Sequence, residues 1–108
     1  MNDKGYKLYA CNIGLNYEGC IILTKSLIEK PIQKKSYCSN SFNIWFEPKK
    51  IILIKDENGN GVINKNKKGQ LVIRKSILDL CDFPIADESV KNIRMEIYEN
   101  QICLESVG

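Results

Sequence analysis

Hydrophobic positions along this chain fall in short runs separated by polar turns, and most runs have the length of a β-strand. Ile21-Ile22-Leu23 and Leu71-Val72-Ile73 are brief aliphatic stretches, consistent with buried strands. Phe42, Ile44 and Phe46 alternate with Asn43, Trp45 and Glu47; Ile93, Met95 and Ile97 alternate with Arg94, Glu96 and Tyr98. A period of two marks a strand with one face turned to a core. Each alternating run leads through a polar turn, Glu47-Pro48-Lys49-Lys50 or Glu99-Asn100-Gln101, into a second apolar run, Ile51-Ile52-Leu53 or Ile102-Cys103-Leu104. Each pair therefore reads as a hairpin. Earlier strands are predicted over residues 8–13 and 62–64. Helical patterning is confined to about one turn over residues 26–30, stopped by Pro31, and a slightly longer stretch over 76–81 that ends before Pro84.

The pattern occurs twice. The segment from Gly19 to Glu29 aligns with that from Gly69 to Asp79 at an offset of 50, matching the glycine, the Lys-Ser pair and every apolar position. After one extra residue, the hairpin segments align again at an offset of 51. The chain is thus expected to be a single compact domain over residues 1–108. It holds one repeat at about 6–55, a second at about 62–106, and a linker at about 56–61. Neither four-strand unit can bury its apolar face alone, so the two must share a core. The fold class expected is mainly β with short helices, as two tandem β-β-α-β-β units.

The second unit carries a recognisable motif. Gly69-Gln70-Leu71-Val72-Ile73-Arg74-Lys75-Ser76, a short helix running to Phe83, and a closing hairpin ending in Gln101-Ile102-Cys103-Leu104-Glu105 resemble the AbrB/MazE/SpoVT swapped-hairpin family. The first unit keeps the Gly19 strand, Lys25 and the final hairpin. The resemblance implies that the two units interleave their hairpins into one β-barrel, as a dimer fused head to tail. It also implies DNA-binding transcription regulation, or an antitoxin that binds its own operator. Some family positions differ here: Cys20 and Gln70 stand where a basic residue follows the glycine, and Thr24 and Arg74 stand where proline precedes lysine.

Charge narrows the candidates only slightly. Sixteen Lys and Arg against thirteen Asp and Glu give a net charge of +3, mildly basic and compatible with an anionic partner. The lysines are grouped, however. Lys65, Lys67 and Lys68 precede Gly69, Arg74 and Lys75 follow the next strand, and Lys25 holds the matching place in the first unit. Phosphates are bound by such cations, whereas base edges are read by Arg, Asn or Gln, here Asn64, Asn66 and Gln70. These nine residues form the candidate DNA site for a double-stranded partner. The matching turn of the first unit, Leu15-Asn16-Tyr17-Glu18, is not basic. A pseudo-dimeric monomer with unequal halves is expected to recognise its site asymmetrically or to self-associate.

The alternative is a protein-binding module, antitoxin-like or inhibitory, with a toxin or similar protein as partner. Its anchors would be Trp45, Tyr17 and Tyr98, with Tyr9 and Tyr37 behind them, because aromatics dominate interface hot spots. Trp45 is the sharpest, since alternation turns it away from the face of Phe42, Ile44 and Phe46.

Catalysis and metal binding find little support in the composition. The chain has no histidine, and its five cysteines form no C-x-x-C pair, so neither a zinc site nor a His-activated nucleophile suggests itself. Residues 56–67 imitate a calcium loop, with Asp56, Asn58, Asn60 and Gly61 in place, but Lys67 stands where the bidentate acid belongs. The segment Asn58-Gly59-Asn60-Gly61 is read instead as a turn. The expectation is no enzyme activity, no cofactor and no metal. No apolar run has the length of a membrane span and no secretion signal is evident, so a cytoplasmic location with no membrane partner is expected.

Overall fold

A computed structural model describes residues 5–14, 20–29, 41–56, 58–81, 83 and 93–106. The architecture is mainly β, with two short helices. The elements in chain order are β1 (Lys7–Ile13), β2 (Ile21–Leu23), α1 (Lys25–Glu29), β3 (Ser41–Glu47) and β4 (Lys50–Lys55). They continue with β5 (Ile63–Asn64), β6 (Leu71–Ile73), α2 (Lys75–Leu80), β7 (Ile93–Tyr98) and β8 (Gln101–Ser106). Both hairpins, both aliphatic strands and both helices lie where the periodicity puts them.

The strands form a six-stranded antiparallel sheet in the order β1-β7-β8-β4-β3-β5 and a separate two-stranded sheet, β2-β6. The hairpins β3–β4 and β7–β8 lie side by side through β4–β8, centred on the pair Ile52–Cys103. Each flanking strand comes from the other half of the chain: β1 pairs with β7, and β5 with β3. Among the described residues no ladder joins the two sheets, so the closed barrel expected from the sequence is not formed. The reason is strand length. β5 holds two residues and β2 and β6 three each, too few to carry backbone bonding from one sheet round to the other.

Pleat explains the core. Phe42, Ile51, Leu53, Met95, Ile97, Ile102 and Leu104 point to one face of the large sheet and are buried. Ile21, Leu23, Leu71 and Ile73 from the small sheet, with Ile28 of α1 and Leu78 of α2, close over the same cluster. Truncating one such residue to alanine costs about 2–5 kcal/mol.

Two local devices fix the loop between the halves. The Asp56 carboxylate accepts from the backbone N–H of Asn58 at 3.0 Å and of Asn60 at 3.1 Å, an Asx-type turn. Gly61 donates its N–H to the buried Ser41 Oγ. A Cβ there would collide with the Phe42 carbonyl oxygen, so only glycine admits this approach.

Candidate nucleic-acid interface

The connection from β5 to β6 is built around Asn66. Its backbone N–H donates to the Gln70 carbonyl at 3.0 Å, and Gly69 N–H donates to the Asn66 carbonyl at 3.0 Å. Its side-chain Oδ1 accepts from Lys68 N–H at 2.9 Å and from Gln70 N–H at 3.0 Å. The residue completing the turn, Gly69, has φ +77°, which asparagine and glycine favour in a three-residue loop. Lys67 and Lys68 are held exposed at the tip.

This turn meets the other half of the chain. A Cβ on Gly69 would lie 3.2 Å from Lys25 Cδ, so the lysine stem of α1 lies alongside the turn that carries Lys67 and Lys68. Lys25, Lys67 and Lys68 are therefore brought together from the two halves. Lys75 and Arg74 are not with them. The antiparallel pairing of Leu23 with Leu71 and of Ile21 with Ile73 sends α1 and α2 off opposite ends of the small sheet, roughly 10 Å apart along three residues. Lys65, half-buried, follows β5 and has bonding partners of its own.

Asn64, Asn66, Gln70 and Arg74 border a groove of about 580 Å³, with Val62, Val72, Ser76 and Ile77 among its other walls. All three of these amides are already engaged: Asn66 Nδ2 donates to Gln70 Oε1 at 3.1 Å. Asn64 Nδ2 donates to the Gly61 carbonyl at 3.3 Å. Arg74 precedes α2 in an extended conformation and offers no side-chain cap, so its exposed guanidinium is not committed to the helix. Its positional counterpart, Thr24, does cap: Thr24 Oγ1 accepts from Leu27 N–H at 3.2 Å. Ser76, Val72 and Ile77 were not singled out from the sequence, because only the groove joins them to the amides.

The aromatic candidates separate clearly. Trp45 is 60% exposed and its neighbour Phe46 48%. Tyr98 is buried at 8%, and its hydroxyl helps to hold the Glu96 carboxyl below its ordinary range. Tyr9 is half-buried on β1, and its hydroxyl is pushed above the usual tyrosine range by Cys11 on the same face of the strand. Tyr17 and Tyr37, like Leu15, Asn16 and Glu18 of the first turn, lie outside the described residues.

Among the described residues no group of three or more Cys, Asp or Glu is placed to hold a metal ion. Burial raises the Cys81 thiol above the ordinary cysteine value, which keeps it protonated and unreactive. No described helix is long and apolar enough to cross a membrane. No protein-family model matches the chain, and neither does any curated protein or solved structure.

Proposed function

We propose that the chain is a tandem duplication of a swapped-hairpin unit like that of the AbrB/MazE/SpoVT family, and that it binds double-stranded DNA as a regulator. The observation that carries this reading is the pairing pattern. Exchanging each strand for its counterpart (β1 with β5, β2 with β6, β3 with β7, β4 with β8) turns the order β1-β7-β8-β4-β3-β5 into its own reverse. The residue pairs obey the same exchange. Lys50–Glu105 becomes Gln101–Ile54, and Ile21–Ile73 becomes Leu71–Leu23, all of them observed pairs. A two-fold relation then runs through Ile52–Cys103 and Ile22–Val72, as in a dimer whose subunits have been fused.

On this reading Lys25, Lys67 and Lys68 form one phosphate-contacting cluster. Arg74 and Lys75 serve the other end, and Gln70 and Asn64 reach towards base edges. Anisotropy of a labelled AT-rich duplex, titrated at roughly 50 and 200 mM salt, tests it. Wild type is expected to bind with steep salt dependence, and a Lys65/Lys67/Lys68→Ala variant to lose affinity and about 2–3 units of the log–log salt slope. No binding at the lower salt rejects the reading.

A second reading has its own observation, the exposure of Trp45 and Phe46 together on one strand. Such a pair suits an antitoxin-like or inhibitory protein contact that needs no nucleic acid. Trp45→Ala abolishing capture of a protein partner while leaving DNA affinity unchanged would favour it.

A further inference from the structure

The two ends of the six-stranded sheet are finished differently. β1 covers β7 along its length, from Ile13–Ile93 to Lys7–Tyr98. β5 covers β3 only at Ser41 and Phe42, and the chain before it turns in at Gly61, against the Phe42 backbone. Among the described residues, nothing pairs with the outer edge of β3 from Asn43 to Glu47.

The ladder fixes the direction of the backbone groups on that edge. Asp56 N–H donates to the Ser41 carbonyl, and Lys55 N–H donates to the Asn100 carbonyl across the opposite side of β4. Bonding alternates along an antiparallel strand. Ser41, Asn43, Trp45 and Glu47 therefore bond inward to β4, while Phe42, Ile44 and Phe46 turn their N–H and C=O outward. Ile63 pairs with Phe42. The groups of Ile44 and Phe46 are left facing out.

We infer that this edge is a self-pairing site, where β3 of one molecule adds antiparallel to β3 of a second copy about a two-fold axis at Trp45. The register is self-complementary. Ile44 of each copy falls opposite Phe46 of the other, so both outward residues meet their like and roughly four hydrogen bonds form. The same step covers half-buried Ile44 and half-exposed Phe46 on the core side and stacks the two Trp45 rings on the other side. Asn43 falls opposite Glu47, so no like charges meet. The interface is isologous and closed, which limits the product to a dimer.

The opposite end of the sheet carries protective devices that, among the described residues, β3 lacks. β1 carries a register shift between Lys7 and Tyr9 and a charged Lys7, devices that blunt an edge. Asn43-Ile44-Trp45-Phe46 contains no charge, proline or bulge, and consists largely of residues that favour strand pairing. The inference does not depend on DNA binding.

Sedimentation velocity on the intact chain over about 1 µM to 1 mM tests it, a range suited to a small interface. Trp45 is the chain's only tryptophan, so its emission is expected to shift to the blue as dimer forms. Trp45→Lys sets two ammonium groups face to face on the axis and is expected to leave monomer throughout. Phe46→Pro removes an outward N–H that β4 does not use and is expected to weaken the dimer at least tenfold. Leu80→Lys, at an exposed site on α2, is expected to dimerise like wild type. Circular dichroism of each variant establishes that it is folded. A wild type that stays monomeric to 1 mM, or a dimer that folded Trp45→Lys and Phe46→Pro both leave intact, overturns the inference.

Discussion

Ile97 and Phe46 stand at corresponding places in the two hairpins, in the same alternation and on the same face, yet Ile97 is fully buried and Phe46 is 48% exposed. Their own sequences do not account for the difference; the neighbouring strands do. β1 has seven residues and lies against β7, while β5 has two and, among the described residues, leaves β3 from Asn43 to Glu47 without an outer partner. Met95 and Ile44 repeat the contrast, one fully buried and the other only partly. Alternation decides which face a side chain takes. Whether that face is covered depends on a strand about twenty or eighty residues away in sequence, as with Ile63 beside Phe42 or Ile13 beside Ile93.

The largest test of this contrast is a pair of truncations read by urea unfolding. Met95→Ala empties a fully buried site and is expected to cost about 2–5 kcal/mol. Ile44→Ala, at the uncovered edge, is expected to cost less than half as much in dilute protein. If β3 pairs between copies, that gap narrows as protein concentration rises, because Ile44 then becomes buried too. Equal costs in the dilute monomer would show that the edge of β3 is already covered.

Much of the fold was legible because it rests on local pattern. The alternation from Phe42 to Glu47 and from Ile93 to Tyr98, the aliphatic triplets, and the turn at Asn58-Gly59-Asn60-Gly61 all have short-range physical causes. Barrel closure was not legible, since it depends on whether distant strands are long enough to meet. The shortness of β5 follows from Gly61 seating against Phe42 and from Asp56 gathering the Asn58 and Asn60 N–H groups. No periodicity records those contacts. In the candidate site, the grouping of lysines around Gly69 was visible, but the approach of Lys25 from the other half was not. The turn-making role of Asn66 had a signal in the spacing of Asn66 and Gly69, which suits a tight turn as well as it suits base recognition. Tyr98 sits on the face opposite the core, where alternation puts it. Its burial there and its influence on Glu96 were not visible in the sequence.

A smaller effect separates the two helix starts. Thr24→Ala removes the hydroxyl that caps α1 and is expected to cost about 1 kcal/mol in unfolding free energy. Arg74 occupies the matching position with extended backbone angles, φ −72° and ψ 155°, already suited to a capping side chain. Arg74→Thr is therefore expected to stabilise by roughly 0.5–1 kcal/mol. If Arg74 contacts a phosphate, the same change lowers DNA affinity and takes about one unit from the salt slope. Stability and binding would then move in opposite directions, which a structural role for Arg74 alone would not produce.

The smallest effect lies on the covered edge, where Lys7 Nζ is 2.9 Å from Glu96 Oε2 and Glu96 stands in the place that Trp45 holds in the first hairpin. The hydrogen bond to Lys7 holds the Glu96 carboxyl below its ordinary range, with the Lys7 and Arg94 charges and the Tyr98 hydroxyl adding to it. The same bond raises the Lys7 ammonium above the usual lysine value. For Glu96, the folded state binds its proton more weakly than the unfolded chain does. Its contribution is complete above the ordinary carboxylate value of about 4.3 and is lost as pH falls through the lowered one. For Lys7 the sign reverses: the contribution is complete below about 10.4 and is lost as pH rises through the raised value. Urea midpoints of wild type and Glu96→Gln are thus expected to differ most between about pH 5 and 10 and to converge near pH 2. Solvent screening should shrink the difference in high salt, because both groups are partly exposed. A difference that persisted unchanged at pH 2 would mean that Glu96 acts there through packing beside Tyr98 rather than through its charge.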